Sequence, residues 1–466
     1  MTRIAIIGAG LSGRLLALNL LQQAASSDCI WLVDRSDTGA MGPAYSNNDE
    51  YLLLNVPACK MGAYSRDPEH FLKWVQSKGL QARPWDFLPR KLYRDYILDQ
   101  VNEAQQARRD YPSFEQVIGD VTDIEISQEG AILPMEGRAP LIADKVVLAL
   151  GNFPPRHPQI QNRSALASAR YVHIPWSSGI LDSLSRNETV VIIGTGQTTV
   201  DLVATLHWRK HKGRILAISR RGLLPMAHRG FETYPPFFEE IKDMKRLLEV
   251  FRTVRVHLER AEALGIDVRS VIDSLRPDTQ ALWQNLPEDE KRRFLRHVFR
   301  YWEIIRSRIP PESQAIVEGM RASGQLEILK GQIRDLVDSE TGMEVHYALD
   351  GGEQREILKA ALVINCIGPE SDYGRNDQPL VKNLIRRGLV SPGPANLGMD
   401  AKPNGALIGR DGAVSEVLYT LGSTMRGVLW EVLAVPEIRV QAEKLAGLLL
   451  DIDHRKWLDP TRPPDH

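Results

Sequence analysis

Cysteine is scarce and poorly spaced for chemistry. Among 466 residues only Cys29, Cys59 and Cys366 occur, with no CxxC or CxxxxC pair. That excludes a redox-active disulfide between neighbouring thiols and suits a reducing compartment. Cys29 and Cys366 sit in apolar runs and read as small packed hydrophobes, and a lone Cys59 is more often structural than catalytic. An excess of charge is missing too: 58 basic against 59 acidic residues leave a net charge of −1, so nothing speaks for nucleic acid or an acidic membrane as partner. No apolar run approaches the length of a bilayer-spanning helix. The apolar N-terminal stretch ending in Ala24-Ala25-Ser26 superficially resembles a signal peptide. Cleavage there would remove a glycine motif that begins at Gly8, so no secretion signal is read. The expectation is a cytoplasmic protein, with no membrane partner and no assigned metal site. The length allows two or three domains with ample cores.

Against these absences stand two glycine fingerprints 186 residues apart. The first is Gly8-Ala9-Gly10-Leu11-Ser12-Gly13, and the second is Gly194-Thr195-Gly196-Gln197-Thr198-Thr199. Each follows an apolar strand-like run (Ile4–Ile7 or Val190–Ile193) and opens an apolar-periodic helix. That is the context a dinucleotide-binding fingerprint requires. The glycines let the backbone turn tightly and approach a pyrophosphate, whose charge meets a helix N-terminus.

Twenty-six residues after the first glycine of each fingerprint the charge is opposite: Asp34, followed by Arg35, in one case and Arg220 in the other. A carboxylate such as Asp34 accepts hydrogen bonds from ribose hydroxyls and repels a 2′-phosphate. The Ser219-Arg220-Arg221 cluster offers donors and positive charge to that phosphate. The first site therefore suits FAD (or NAD) and the second NADPH. Thr199 replaces the third glycine of the second motif, a position that serves helix–strand packing rather than phosphate contact.

A third element repeats. Val146–Gly151 and Leu362–Gly368 are apolar strands ending in glycine, each preceded by short alternating segments (Phe114–Ile126 and Leu326–Tyr347) that read as β-meanders. The chain thus holds two copies of one plan. The expected fold is α/β, with two Rossmann-like dinucleotide-binding domains, for FAD and NADPH, and a helical insertion. Residues 1–185 form the first part of the FAD domain and 186–369 the NADPH domain, with the insertion at about 230–325. Residues 370–466 return to the FAD domain.

Between the repeats, residues 40–112 carry Pro-Gly-punctuated loops and a helix expected from Asp67. In the insertion, Ile241, Met244, Leu248, Phe251, Leu258 and Ala261 recur at helical spacing, as do Leu295, Val298, Trp302 and Ile305. Both segments are expected to pack on the NADPH domain. The second is basic: Lys291, Arg292, Arg293, Arg296, Arg300, Arg306 and Arg308. A solvated face with intrahelical acid partners explains most of this. If any of them steers an anionic substrate or NADPH, Arg306 and Arg308 are the better candidates, because Pro310-Pro311 pins their segment.

Five stretches carry a family resemblance: Leu54-Asn55-Val56-Pro57-Ala58, Phe87–Tyr93, Ile218-Ser219-Arg220-Arg221-Gly222, Asn365-Cys366-Ile367-Gly368-Pro369, and Leu421 through Ala442. In them the chain resembles bacterial FAD/NAD(P)-binding proteins, mostly uncharacterised, that are akin to flavin-dependent N-hydroxylating monooxygenases and more distantly to Baeyer–Villiger enzymes. The resemblance puts Asn55, Val56 and the loop through Met61 beside the isoalloxazine, with Asn55 at the reacting centre. It also implies a helix beginning at Gly427-Val428 whose N-terminus faces the flavin pyrimidine. Two departures stand out. Where the family has histidines in a Trp-Asp-Val-His-Arg-His-Arg stretch, this chain has Trp302-Glu303-Ile304-Ile305-Arg306-Ser307-Arg308. The Baeyer–Villiger signature is replaced by Tyr171-Val172-His173-Ile174-Pro175-Trp176, read as a linker in which His173 is an ordinary loop residue.

The implied activity is an FAD-dependent, NADPH-reduced monooxygenase. It would act with dioxygen through a C4a-hydroperoxyflavin and N-hydroxylate a small amine or amino acid. An NADPH-dependent flavin reductase or oxidase without oxygen insertion is the alternative, and a non-enzymatic flavin-binding sensor a third. A homo-oligomer stays open.

Overall fold

The computed structural model describes residues 1–451 except 26, 36–40, 108–112, 178, 231 and 350–354. Ser26 and the outer ends of the 40–112 excursion therefore lie outside the described residues.

The first half is built on β1 (Arg3–Ile7), α1 (Leu11–Gln23), β2 (Cys29–Asp34), α2 (Arg90–Ala107), β3 (Ser113–Ile118) and β4 (Lys145–Leu148). β1 lies between β2 and β4, both parallel to it, with Ile4 opposite Ile30 and Lys145. A parallel sheet covered on both faces needs continuous apolar strands, and Ile4, Ala5 and Ile6 are fully buried. Phe114 proves to be in the third parallel strand, paired with β2, and not in a meander. The meander starts later, as three antiparallel strands between residues 125 and 143.

The second half repeats the plan with β5 (Tyr171–Val172), β6 (Val190–Ile193), α3 (Gln197–Trp208) and β7 (Ile215–Ser219). Six α-helices follow among the described residues of the insertion, including α4 (Glu288–His297) and α5 (Phe299–Arg306). A seventh helix, Pro311–Ala322, packs on α3 and leads into β8 (Leu326–Ser339), β9 (Gly342–Leu349), β10 (Arg355–Ala360) and β11 (Leu362–Asn365). The sheet order is β10-β9-β8-β7-β6-β11-β5. β8 first pairs parallel with β7, then turns at a bulge between Ile333 and Asp335 to pair antiparallel with β9. One long strand thus serves both as third Rossmann strand and as first meander strand. β5 joins this sheet from within the segment assigned to the FAD domain, well ahead of the expected boundary at 185.

The chain crosses between the halves at residues 153–155 and again at 369–370, and these two crossings pair with each other. It then returns to the first sheet through β12 (Ala406–Ile408) and β13 (Val414–Thr420), the latter parallel to β4. The last described helix, α6 (Val435–Leu449), buries Val435, Ile438, Ala442 and Leu445 in the same core as α1.

The insertion differs from its expected packing in two ways. Along Leu247–Ala263 the inward residues are Leu247, Val250, Val254, Leu258 and Ala261, while Leu248 and Phe251 face solvent. Ile241 and Met244 precede that helix, so the spacing read across the break was out of phase. The insertion also leans on the C-terminal return and not only on the NADPH domain. Trp283 stacks on Trp430 at 4.6 Å and donates its Nε1–H to the Gly427 carbonyl at 2.7 Å.

Candidate functional site

The two fingerprints face one continuous cleft of ≈ 2480 Å³. Pockets for a single small ligand measure about 300–1,000 Å³, so this space suits more than one large ligand. Gly8, Gly10, Leu11, Ser12, Asp34, Asn55, Val56 and Met61 line one side. Gly194, Gly196, Gln197, Thr198, Ser219, Arg220, Arg221 and Gly368 line the other.

Each loop is fixed by backbone contact that only glycine permits. Gly8 has φ +108°, and a Cβ there would lie 2.3 Å from the Ala149 carbonyl oxygen. Gly194 has φ +119°, and its Cβ would lie 2.3 Å from the Cys366 carbonyl oxygen. The two turns are therefore the same turn, locked under the carbonyl that follows β4 in the first unit and β11 in the second. At the third position the halves diverge. A Cβ on Gly13 would lie 2.0 Å from Gly8 O. Thr199 occupies the matching position and donates its hydroxyl to Gly194 O at 2.9 Å. The middle glycines stay open to the cleft: among the described residues nothing but Met41 O (3.9 Å) nears a Cβ on Gly10, and only the Arg300 guanidinium (3.9 Å) nears one on Gly196. Such cradles fit a pyrophosphate passing over a helix N-terminus.

Beneath the first loop the Ala9 peptide is held at both ends. Asp34 Oδ2 accepts from its N–H at 2.7 Å, and the buried Arg14 Nε donates to its carbonyl at 3.0 Å. Burial pulls the Arg14 pKa down while Asp34 opposes that shift. Arg35 points elsewhere, pairing with Asp120 at 3.0 Å and bonding Gln378. Gly13 lies behind the loop and not on the cleft wall.

In the second loop Ser219 differs from expectation. Thr195 Oγ1 donates to Leu223 O (2.6 Å), so the Ser219 hydroxyl must donate to Thr195 (2.8 Å), and it accepts from Gly222 N–H (3.0 Å). A hydroxyl has one proton, so Ser219 braces the loop and has none left for a phosphate. Arg221 is held against Tyr301, donating to its hydroxyl at 3.0 Å. Arg220 is exposed at the cleft and makes no side-chain hydrogen bond or ion pair within the described residues.

The basic segment is largely neutralised. Arg292, Arg293 and Arg300 pair with Glu288, Glu290 and Glu303 on their own helices. Arg308 holds Asp273 with both Nη atoms (2.9 and 2.8 Å) and donates Nε–H to Ile305 O. Arg306 pairs with Glu431 at 2.9 Å in a buried cluster with Arg276 and Glu437. Burial lowers the pKa of Arg306 and raises that of Glu431, each opposed by the other's charge. Neither Arg306 nor Arg308 is a free steering cation, contrary to the expectation from Pro310-Pro311.

The Gly427-Val428 segment also departs from expectation. Its helix, Arg426–Leu429, is one turn long. Gly427 is required by close packing, since a Cβ would lie 2.3 Å from Leu397 O, and Val428 is buried in the core. The long helix beside the cleft is α6, with Ala434, Val435 and Ile438 on the wall.

Asn55 sits where the halves meet. Its carbonyl accepts from His228 Nε2 at 3.0 Å, and His228 packs on Phe87 with ring centroids 4.9 Å apart. Burial drives the His228 pKa down to about 4, and the Asn55 carbonyl only partly opposes the shift. The imidazole is neutral, its Nε2–H donated to Asn55, and it lines the cleft. A loop histidine outside any motif gave no signal in the sequence. Nearby, Arg90 of α2 bonds Leu53 O and pairs across the domains with Asp201 of α3 at 2.9 Å. His173 lies in the bend after β5, where it stacks on His157 at 3.9 Å and bonds the Pro155 carbonyl at the crossing strand. The thiols of Cys29, Cys59 and Cys366 are free and buried.

Residues 5–153 match the family model described as FAD-NAD(P)-binding. The whole chain superposes on the ornithine N-hydroxylase of Kutzneria sp. 744 with TM-score 0.63 at 15% identity, covering 98% of this chain and 100% of that one. The fold is that of the two-nucleotide flavoproteins. L-lysine 6-monooxygenase from Pseudomonas syringae is similar at TM-score 0.62 and 14% identity, covering 96% and 99% of the two chains. In sequence, the chain is 24% identical over 440 residues to the uncharacterised protein YdhS of Escherichia coli K12, spanning 80% of this chain and 78% of that one. No described helix is long and apolar enough to cross a membrane.

Proposed function

We propose that the chain is an FAD-dependent, NADPH-reduced monooxygenase that hydroxylates the nitrogen of a small amine or amino acid. One observation carries this reading: two glycine loops of identical turn geometry face one cleft, with Asp34 behind the first and the unpaired Arg220 behind the second. FAD fits the first loop, where a 2′-phosphate would meet a carboxylate. NADPH fits the second, where Arg220 awaits that phosphate. Bound flavin would supply hydride acceptance from the nicotinamide and activation of dioxygen.

The chain's own residues do the rest. The Asn55–Met61 loop lines the seam between the halves, and His228 fixes the Asn55 carbonyl by donation. The Arg90–Asp201 pair and the packing of Trp283 on Trp430 hold the walls together. The oxygen-inserting activity is supported by the two N-hydroxylating enzymes that share the fold end to end. The chain has no CxxC or CxxxxC pair that could form a redox-active disulfide between neighbouring thiols.

The test is to follow NADPH consumption, peroxide release and hydroxylamine formation by FAD-loaded protein offered a panel of small primary amines and amino acids. Consumption stimulated by one class and coupled to hydroxylamine supports the proposal. Peroxide equal to NADPH consumed with every compound would make it a flavin reductase or oxidase instead.

A further inference from the structure

We infer that the insertion supplies Arg300 as a clamp on the pyrophosphate of the nucleotide at the second loop, reaching it from an element anchored to the FAD domain. This rests on the NADPH reading of that loop. Gly196 is the N-cap of α3, a 12-residue helix with no side-chain cap, so its first amides are turned toward the cleft for an anion. The group over this glycine is the Arg300 guanidinium, whose Nη1 and Nη2 would lie 3.9 and 4.0 Å from a Cβ there. Nη2 also donates to Thr195 Oγ1, the neighbouring residue, at 3.4 Å. Glu303, one turn along α5, pairs with Nη1 and orients the fork. With five N–H donors, the guanidinium keeps donors for a phosphate after these contacts.

Among the other arginines of the segment, Arg308 donates four N–H bonds to Asp273 and backbone carbonyls, Arg306 pairs with Glu431, and Arg292 and Arg293 pair with Glu288 and Glu290. Arg296 also lines the cleft, but the guanidinium over Gly196 is that of Arg300. Among the described residues the first loop has no counterpart: its nearby arginine, Arg14, lies under the turn and binds Ala9 O.

Arg300 belongs to a helix fixed to the C-terminal return. Arg306, six residues on, pairs with Glu431, and Phe299 packs edge-on against Trp430 with Arg426 over its ring at 5.2 Å. A pyrophosphate over Gly196 would thus be held between the amides of the NADPH domain and a guanidinium anchored to the FAD domain. Nucleotide binding would tie the two domains together.

The test is a calorimetric titration of FAD-loaded protein with NADP⁺ and, separately, with 2′-AMP, which carries the ribose phosphate but no pyrophosphate. For Arg300→Met the expected result is a roughly 10- to 100-fold weaker NADP⁺ affinity with unchanged 2′-AMP affinity. Arg300→Lys should recover part of the loss, because a point charge replaces the fork. Arg220→Ala should weaken both ligands. NADP⁺ affinity unaltered by Arg300→Met, or an equal loss for 2′-AMP, would overturn the clamp. Wild-type protein that binds neither ligand would instead overturn the NADPH reading beneath it.

Discussion

The two halves of this molecule solve the same backbone problem with the same turn and then diverge in how the turn is held. In the first half the loop is braced from beneath, by Asp34 and Arg14 on the two ends of the Ala9 peptide, with Gly13 pressed against Gly8. In the second it is braced from the side and from above, by Ser219, Thr195 and Arg300, and Thr199 replaces close contact with a hydrogen bond. A loop closed on itself suits a ligand that stays. A loop finished by a residue from a separate helix suits one that enters and leaves. On the proposed function, those ligands are FAD and NADPH.

The sharpest way to break this comparison is to exchange the third positions. Gly13→Ala places a Cβ 2.0 Å from a backbone carbonyl that cannot yield, so we expect about 3 kcal/mol of destabilisation and loss of FAD, read by thermal unfolding and flavin content. The seam between the halves gives the next effect. His228 has an ordinary pKa near 6.5 when unfolded and about 4 when folded. Its depressed value means that stability is fully present above pH 6.5 and lost as pH falls through 4, by about 3 kcal/mol at most. Urea unfolding across that window should show the loss in wild type and not in His228→Gln, which keeps an N–H donor but cannot titrate. An identical acid loss in the variant would remove His228 from the seam.

Arg220→Ala sharpens the charge contrast. NADPH affinity should fall by about 2 kcal/mol while NADH affinity stays, as measured by titration of each. The smallest effect belongs to Thr199→Ala, which loses the hydrogen bond to Gly194 O and a few buried atoms but introduces no clash. About 1 kcal/mol is expected in chemical denaturation, against the much larger loss at Gly13.

What could be read from the sequence was what local backbone geometry encodes. The strand–glycine–helix order, Asp34 and Arg220 at equal offsets, and the glycines ending β4 and β11 each follow from one turn that tolerates few residues. What could not be read depended on which atoms meet in space. Ser219 has the composition of a phosphate ligand, yet its proton goes to Thr195. Arg306 and Arg308 looked freer than Arg300, because the acids that neutralise them, Glu431 and Asp273, are far off in sequence. Leu248 and Phe251 fit a helical period read across a break, so the phase slipped. Phe114 was assigned to a meander because an alternating strand looks the same in either kind of sheet. Gly427 does open a helical turn, Arg426–Leu429, but that its missing side chain serves packing on Leu397 shows only in the fold. His228 belongs to no motif and finds Asn55 only through the fold.

The most direct test of the account is anaerobic reduction of the purified, FAD-loaded protein by NADPH and by NADH at matched concentrations, followed by loss of flavin absorbance. The account predicts a yellow protein that NADPH bleaches much faster than NADH, with the preference abolished in Arg220→Ala. A colourless protein that takes up no FAD, or equal bleaching by the two nucleotides, would contradict the assignment of opposite ligands to the two glycine loops.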